Sequence, residues 1–229
     1  MKQLSITQKY YLCAVNQKGN LPFLRSTEIS ACILVSGILE LLQVGYFNCG
    51  AKDKLTLQRL WDGEPAYLRS LYDVIVSGKK PKSTKEIAQY YLISLTDQPL
   101  KALVSEIGAS LAAGGYTTEL TGKTKNKDTG RYAPRLEKAK EIITEIKSEL
   151  ANEVALSEEF LCLATLLDKS NLLKLYCTAE EIKLYKKHIK EVRNSETYRE
   201  IKKVLDYIDS VVAVFVVLMT AFAGASSNG

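Results

Sequence analysis

The chain has 229 residues, of which 46% are hydrophobic and 25% are charged, and its formal net charge is +5. These values are typical of a globular protein with an ample core and exclude a collagen-like or low-hydrophobicity disordered chain. A net charge of this size permits an anionic partner without requiring one, so the positions of the charges matter more than their sum.

Apolar periodicity and helix-start signals predict a mainly α-helical protein. Capping boxes, in which Ser or Thr is followed three residues later by Gln or Glu, begin at Ser5, Ser83 and Thr178. Gly45 and Gly114 stand where helices commonly end in glycine. The pattern predicts helices near 6–16, 27–44, 66–76, 84–94, 98–113, 136–151, 157–168, 179–193 and 196–223.

Two short stretches are predicted to form β-hairpins. The first covers residues 46–57 and turns near 50–53, and the second pairs residues near 116–120 with residues near 131–133 across a longer, protruding tip. The stretch 77–83 is the most linker-like, but it is too short to separate two domains. The prediction is therefore one mainly α domain over 1–229, a helical bundle with a central apolar C-terminal helix, two small hairpins and a flexible tail at 225–229.

Neither end of the sequence predicts a membrane segment. The N-terminus has no continuous apolar segment, so a secretory signal is not predicted. Residues 211–225 carry no charge, but this stretch is shorter than the roughly 18–20 residues that a spanning helix needs. It also continues a helix that is amphipathic from about residue 198, which favours burial in the protein core over a membrane anchor.

The stretch 114–135, GGYTTELTGKTKNKDTGRYAPR, contains a fragment similar to the end of a phosphate-binding loop, Gly122-Lys123-Thr124. The full motif requires a glycine five residues before Gly122, and that position is Thr117. The motif must also join a strand to a helix, whereas here a helix precedes it and a polar loop follows. A nucleotide-hydrolysing site is therefore not predicted.

Other routes to catalysis have little support in the sequence. The single histidine, His188, lies among lysines beside the apolar stripe of its predicted helix, where a solvated side chain or one at the rim of the core is the simplest interpretation. The five cysteines form no CxxC pair and no recognisable zinc pattern, which indicates free thiols in a reducing compartment. We expect no enzymatic activity, no metal and no cofactor.

The strongest remaining feature is a basic loop at 121–135. Its cations, opposed only by Asp128, suit three interpretations: a solvated hairpin tip, a surface that binds anionic lipid, or a winged-helix wing on DNA phosphates. A second basic set on the helix near 179–193 is interspersed with glutamates, which favours a solvated face. The loop cations are Lys123, Lys125, Lys127, Arg131 and Arg135; the second set is Lys183, Lys186, Lys187, Lys190 and Arg193.

The order of five segments between Leu4 and Phe222 resembles the Golgi phosphoprotein 3 family. The segments are LSITQKYYLCAVNQKGN, ACILVSGILELLQVGYF, TDQPLKALVSEIGASLAAGGYTTE, LCLATLLDKSNLLKLYCTAEEIKLYKKHIKEV and IDSVVAVFVVLMTAF. They resemble, in turn, the opening helix, the helix-then-strand segment, the helix that opens the long hairpin, the penultimate helices and the closing helix. The resemblance covers nearly the whole chain, and the joint order carries it rather than any single motif.

The resemblance implies a cytosolic, mainly helical protein with no principal catalytic role. Members bind phosphatidylinositol 4-phosphate on membranes, and eukaryotic members link the Golgi membrane to the cytosolic tails of glycosyltransferases and to the COPI coat. We therefore expect a cytoplasmic adaptor that binds peripherally to anionic or phosphoinositide-bearing membranes, which would be those of the Golgi in a eukaryote. The sequence leaves homo-oligomerisation open. The first alternative is a nucleic-acid-binding protein that uses 121–135 as a wing, and the second is a purely protein-binding scaffold.

The family's lipid-headgroup residues correspond poorly to this chain. The family places a tryptophan in the loop before its second helix and an arginine at that helix's start; here the loop has no tryptophan and the start position aligns with Ser30. Phe23 and Arg25 are assigned as partial substitutes. Two family arginines in the helix before the hairpin fall on Leu100 and Leu103. The hairpin tip carries lysines in place of apolar residues, which predicts contact with headgroups rather than insertion into hydrocarbon.

Overall fold

A computed structural model of the chain describes residues 3–22, 26–93, 98–120, 130–151 and 156–226. Within these ranges the chain forms ten α-helices and five short strands, which confirms the predicted mainly α single-domain fold. The helices are α1 Ile6–Ala14, α2 Ser26–Gln43, α3 Arg69–Val76, α4 Thr84–Ile93, α5 Gln98–Ala112, α6 Leu136–Ala151, α7 Glu158–Lys169, α8 Leu173–Tyr176, α9 Ala179–Asn194 and α10 Arg199–Ser226. The strands are β1 Phe47–Cys49, β2 Lys54–Leu57, β3 Lys82–Ser83, β4 Thr117–Glu119 and β5 Tyr132–Pro134.

Local signals placed the helix ends well. The capping boxes at Ser5 and Thr178 both form, and the Ser83 hydroxyl accepts a 3.3 Å hydrogen bond from the Glu86 backbone N–H. Two predicted helices begin with a 3-10 turn, at Ala66–Leu68 and Glu196–Tyr198. Helix α8 was missed because a single turn is too short to show apolar periodicity.

The strands form two antiparallel sheets. β1 and β2 form the predicted first hairpin, and β3 joins β2 as a third strand through the pairs Lys54 with Ser83 and Leu55 with Lys82. β3 comes from the stretch 77–83 that resembled a linker, because two residues give no alternation to detect. β4 and β5 pair from Thr117 with Pro134 to Glu119 with Tyr132, as predicted for the second hairpin. Its tip, residues 121–129, lies outside the described residues.

Helix α1 lies at the centre of one layer of the bundle. It packs against α2, α5, α6 and α7, and its Tyr10 and Tyr11 are completely buried. Helix α2 is apolar along most of its length and packs on α1, α7 and α10. A nine-residue helix has little intrinsic stability in water, so these tertiary contacts hold α1 in place.

Helix α10 packs against α2, α4, α7 and α9. Its inward face buries Leu205, Ile208 and Phe215, which supports the predicted central position, but Val217 on the opposite face is 67% exposed. Between residues 211 and 218 the helix is therefore covered on one side only. The helix continues to Ser226, so the first two residues of the predicted tail are helical. Among the described helices, none has a segment long and apolar enough to cross a membrane.

Helix α5 ends at a glycine pair that directs the chain into β4. Gly115, not the predicted Gly114, adopts the left-handed conformation, with φ of 72°. The Gly115 N–H donates to the Ala112 carbonyl and the Tyr116 N–H to the Leu111 carbonyl, as in a Schellman motif. At Gly114, a Cβ atom would lie 2.8 Å from the Tyr116 ring. Both glycines are therefore needed at this turn, for different reasons.

Candidate functional site

The loop between α1 and α2 forms a closed turn over residues 16–20. The Asn16 side-chain oxygen accepts hydrogen bonds from the backbone N–H groups of Lys18 (2.9 Å) and Asn20 (3.1 Å). The Asn16 N–H donates to the Asn20 carbonyl at 2.9 Å, which closes the turn. Asparagine commonly stabilises such turns because its side chain bonds the backbone a few residues ahead. The turn is thus a defined element that precedes residues 23–25.

This turn packs directly against strand β5. The Gln17 side-chain amide donates a 2.9 Å hydrogen bond to the Pro134 carbonyl. Gly19 has φ of 68°, and a Cβ atom there would lie 3.0 Å from both the Arg131 Cβ and the Tyr132 backbone nitrogen. Glycine at this position therefore permits a positive φ and a close approach to the strand. We call residues 16–20 together with 130–135 the junction surface.

A buried contact beneath the junction surface fixes the hairpin base. The Tyr11 hydroxyl donates a 2.7 Å hydrogen bond to the Tyr132 carbonyl, and the Thr117 hydroxyl donates a 2.8 Å bond to the Gly108 carbonyl. A Cβ atom at Gly108 would lie 2.5 Å from the Tyr11 hydroxyl oxygen and 2.7 Å from the Tyr132 Cβ. Both strands of the hairpin are therefore attached to α1 and α5 at the same place.

Three cations lie on the junction surface. Lys18 and Arg135 are exposed, and Arg131 is partly buried. The Arg131 Nε atom is buried and has no hydrogen-bond partner among the described residues. No carboxylate of the described chain forms an ion pair with any of the three. Because this atom is covered, a ligand can contact only the part of the Arg131 side chain that stays exposed.

The acidic side chain on the described strands of the hairpin is Glu119. Glu119 on β4 lies opposite Tyr132 on β5, and their side chains are hydrogen-bonded. Burial, followed by the Glu119 charge and its hydrogen bond, raises the pKa of Tyr132. Tyr132 therefore stays neutral at physiological pH and adds no negative charge to the surface. The arrangement suits binding of phosphate or carboxylate oxygens, since guanidinium and ammonium groups donate to both.

The structure describes only two of the seven predicted site residues, Arg131 and Arg135, and brings both to the junction surface. The others, Phe23, Arg25, Lys123, Lys125 and Lys127, lie outside the described residues. Sequence inspection missed Lys18, Gln17 and Gly19 as parts of the site. The composition of residues 16–20, Asn-Gln-Lys-Gly-Asn, indicates a turn. Nothing in it indicates that this turn contacts a strand more than a hundred residues away.

Two of the three positions aligned with the family's arginines are buried. Helix α2 begins at Ser26, so Ser30 lies inside the helix and is only 4% exposed. Leu103 is completely buried and Leu100 packs against the core. The predicted position of Ser30 at the helix start was therefore wrong, and the side chains of Ser30 and Leu103 are covered by the protein core.

The second basic set is divided by the structure. Arg193 is not on the solvated face of α9, because its guanidinium binds Asp206 at 2.6 Å and Asp209 at 2.7 Å, both on α10. Lys169 on α7 also contacts Asp209, at 2.9 Å. This network joins three helices. The four lysines of α9 are exposed, as predicted for a solvated face.

The described residues hold no group of three histidine, cysteine or carboxylate side chains suited to a metal ion. All five cysteines are free thiols, as predicted, and Cys13, Cys32 and Cys162 are buried. Burial raises the pKa of each of these three thiols to about 12. His188 is mostly covered, with its side chain 18% exposed and its Nδ1 atom 3.6 Å from Glu191.

A groove of about 1020 Å³ lies between α6 and the N-terminal ends of α1 and α7. Its floor is apolar, and Lys9 lies inside it, 2.8 Å from a Glu159 oxygen and 3.8 Å from Glu145. None of the predicted site residues lines it. The walls carry five carboxylates, Glu137, Glu141, Glu145, Glu149 and Glu159.

A comparison of the sequence with protein-family models and with curated proteins finds no match.

Proposed function

We propose that this protein is a non-enzymatic peripheral membrane protein that binds anionic lipid through the junction surface. The observation that carries the proposal is the attachment of the 16–20 turn to β5, through Gln17 and Gly19, which groups Lys18, Arg131 and Arg135 at one place. Residues 121–129, with Lys123, Lys125 and Lys127, connect directly to the same strand pair.

The energetics favour a charged, interfacial mode of binding. Each basic residue near an anionic bilayer contributes about 1 kcal/mol, and this attraction falls off within a Debye length of about 8 Å at physiological salt. Three junction cations and three loop lysines are therefore sufficient for reversible association. The described part of the junction surface exposes no large hydrophobic side chain, so its binding should be strongly salt-dependent.

The Arg131 guanidinium supplies a directional element beyond this diffuse attraction. Its planar guanidinium can donate parallel hydrogen bonds to two phosphate oxygens, which an ammonium group cannot do. The resemblance to the Golgi phosphoprotein 3 family supports phosphatidylinositol 4-phosphate as the headgroup and the cytosolic tails of membrane enzymes as cargo. The family's tryptophan and arginines have no counterpart in this chain. In our proposal, Arg131, Arg135 and the loop lysines bind the headgroup instead.

Co-sedimentation with phosphatidylcholine vesicles tests the proposal directly. We expect association when the vesicles contain phosphatidylserine or phosphatidylinositol 4-phosphate, and none with phosphatidylcholine alone. Stronger binding to the phosphoinositide at equal membrane charge supports headgroup recognition, and equal binding supports charge attraction only.

A variant with Lys123, Lys125 and Lys127 changed to Ala isolates the loop. Full retention of binding by this variant would exclude the loop from the contact. A duplex-DNA titration at two salt concentrations distinguishes lipid binding from the wing hypothesis. The wing hypothesis predicts DNA affinity with a steep salt dependence. DNA binding without vesicle binding would overturn the proposed function.

A further inference from the structure

Helix α9 presents an exposed lysine face that the junction surface does not include. Lys183, Lys186, Lys187 and Lys190 recur at helical spacings of three and four residues, which places them on one side over about 10 Å of helix. All four are exposed. The opposite side of α9 packs on α6, α8 and α10 and buries Tyr185 and Val192. The lysine orientation is therefore set by core packing.

Helix α9 carries three glutamates against its four exposed lysines, and one of them, Glu180, is exposed three residues before Lys183. Glu181 accepts from the Thr178 backbone N–H and pairs with Lys147 of α6 at 3.2 Å. Glu191 lies 3.9 Å from Lys187, at the edge of an ion-pair distance. Lys183, Lys186 and Lys190 have no carboxylate within 4 Å in the described ranges. The interspersed acidic residues that suggested a balanced face thus leave a net positive one.

The chemistry of the face indicates which anionic partner it fits. Every exposed position of α9 carries Lys, Glu, Ala or Asn, so no aromatic ring or arginine is available to stack on bases or to bind a phosphate bidentately. Ammonium groups on flexible stems act as point charges, which suits a broad layer of lipid headgroups. Clusters of four or more basic residues on an amphipathic helix are typical of contact with anionic lipid.

We propose that the lysine face of α9 is a second contact surface for an anionic bilayer, separate from the junction surface. It shares the lipid partner of the proposed function but none of its residues, so either surface can be lost without the other. Because its apolar side is occupied by the protein core, α9 contacts headgroups without entering hydrocarbon. The two surfaces together give a multivalent membrane contact if both reach one bilayer.

The test compares two triple variants with equal charge loss. One changes Lys183, Lys186 and Lys190 to Gln, and the control changes the exposed Lys79, Lys80 and Lys85 to Gln. Partitioning onto phosphatidylcholine vesicles containing phosphatidylserine is measured at low salt. At roughly fivefold for each lysine, the α9 variant should bind on the order of 100-fold more weakly, and the control should change far less. Equal losses in the two variants would overturn the inference, because net charge alone would then explain both.

Two further arms separate this inference from its alternatives. An Arg131→Gln/Arg135→Gln variant that loses binding while the α9 variant keeps it supports the junction surface and overturns the α9 proposal; the reverse result supports α9 alone. Duplex DNA replaces vesicles in the second arm. If the α9 substitutions weaken binding to DNA but not to vesicles, the lipid assignment is overturned in favour of nucleic acid.

Discussion

The Tyr11 hydroxyl donates a 2.7 Å hydrogen bond to the Tyr132 carbonyl, which joins the mostly buried α1 helix to the base of the basic hairpin. This contact orients β5 and the junction cations. Replacing Tyr11 with Phe keeps the ring and leaves the carbonyl without this donor, so we expect a loss of about 1–2 kcal/mol in the free energy of unfolding. Urea unfolding measures it. The exposed Tyr90→Phe is the control, and an equal loss there would show that Tyr11 has no special role.

Gly108 permits the close approach of α5 to the same contact. A methyl group at this position meets the Tyr11 hydroxyl oxygen at 2.5 Å and the Tyr132 Cβ at 2.7 Å. We expect Gly108→Ala to destabilise the protein by about 1–3 kcal/mol, since the core must shift to admit it. Gly50→Ala serves as a matched control because the nearest atom to its Cβ is at 3.7 Å. Thermal unfolding that does not distinguish the two variants contradicts this packing.

Arg193 connects α9 to α10 through two carboxylates, and its own side chain is only 28% exposed. Arg193→Ala should lower the free energy of unfolding by about 1–2 kcal/mol, because Asp209 keeps only its contact with Lys169. Lys203→Ala removes a pair whose side chains are 62% and 81% exposed, and it should change stability by less than about 0.5 kcal/mol. Equal effects of the two substitutions, measured by chemical denaturation, would exclude the proposed network.

The buried thiols predict a loss of stability at alkaline pH. Burial raises the pKa of Cys13, Cys32 and Cys162 from 9.0 to about 12, so the folded protein holds these protons above the pH at which the unfolded chain releases them. The contribution of these thiols to the free energy of unfolding is complete below about pH 9. It is lost as the pH rises towards 12, at up to about 1.4 kcal/mol per thiol per pH unit. Unfolding midpoints measured across this interval check the slope. Cys162→Ala should make it shallower, and an unchanged slope contradicts the assignment.

Local sequence signals predicted the fold well. The Ser5 and Thr178 caps and the apolar periodicity placed the helices because helix ends depend on residues only a few positions apart. The two strands of the second hairpin were also predicted close to their observed positions.

The junction surface could not be predicted in the same way, because it depends on contacts between distant parts of the chain. Gln17 meets Pro134 across 117 positions, and Tyr11 meets Tyr132 across 121. A basic loop is visible in a sequence, but the turn that packs on it is not. The roles of Arg193 and of the α9 lysines were likewise indistinguishable in sequence, since both belong to one basic stretch.

The most direct test of the central claim is the affinity of an Arg131→Gln/Arg135→Gln variant for phosphatidylserine-containing vesicles. Lys79→Gln/Lys80→Gln is the control, with the same loss of charge at another exposed site. We predict that the junction variant binds at least tenfold more weakly than the control at low salt, at roughly fivefold for each cation removed. Indistinguishable affinities in the two variants would contradict the assignment of the junction surface as the lipid-binding site.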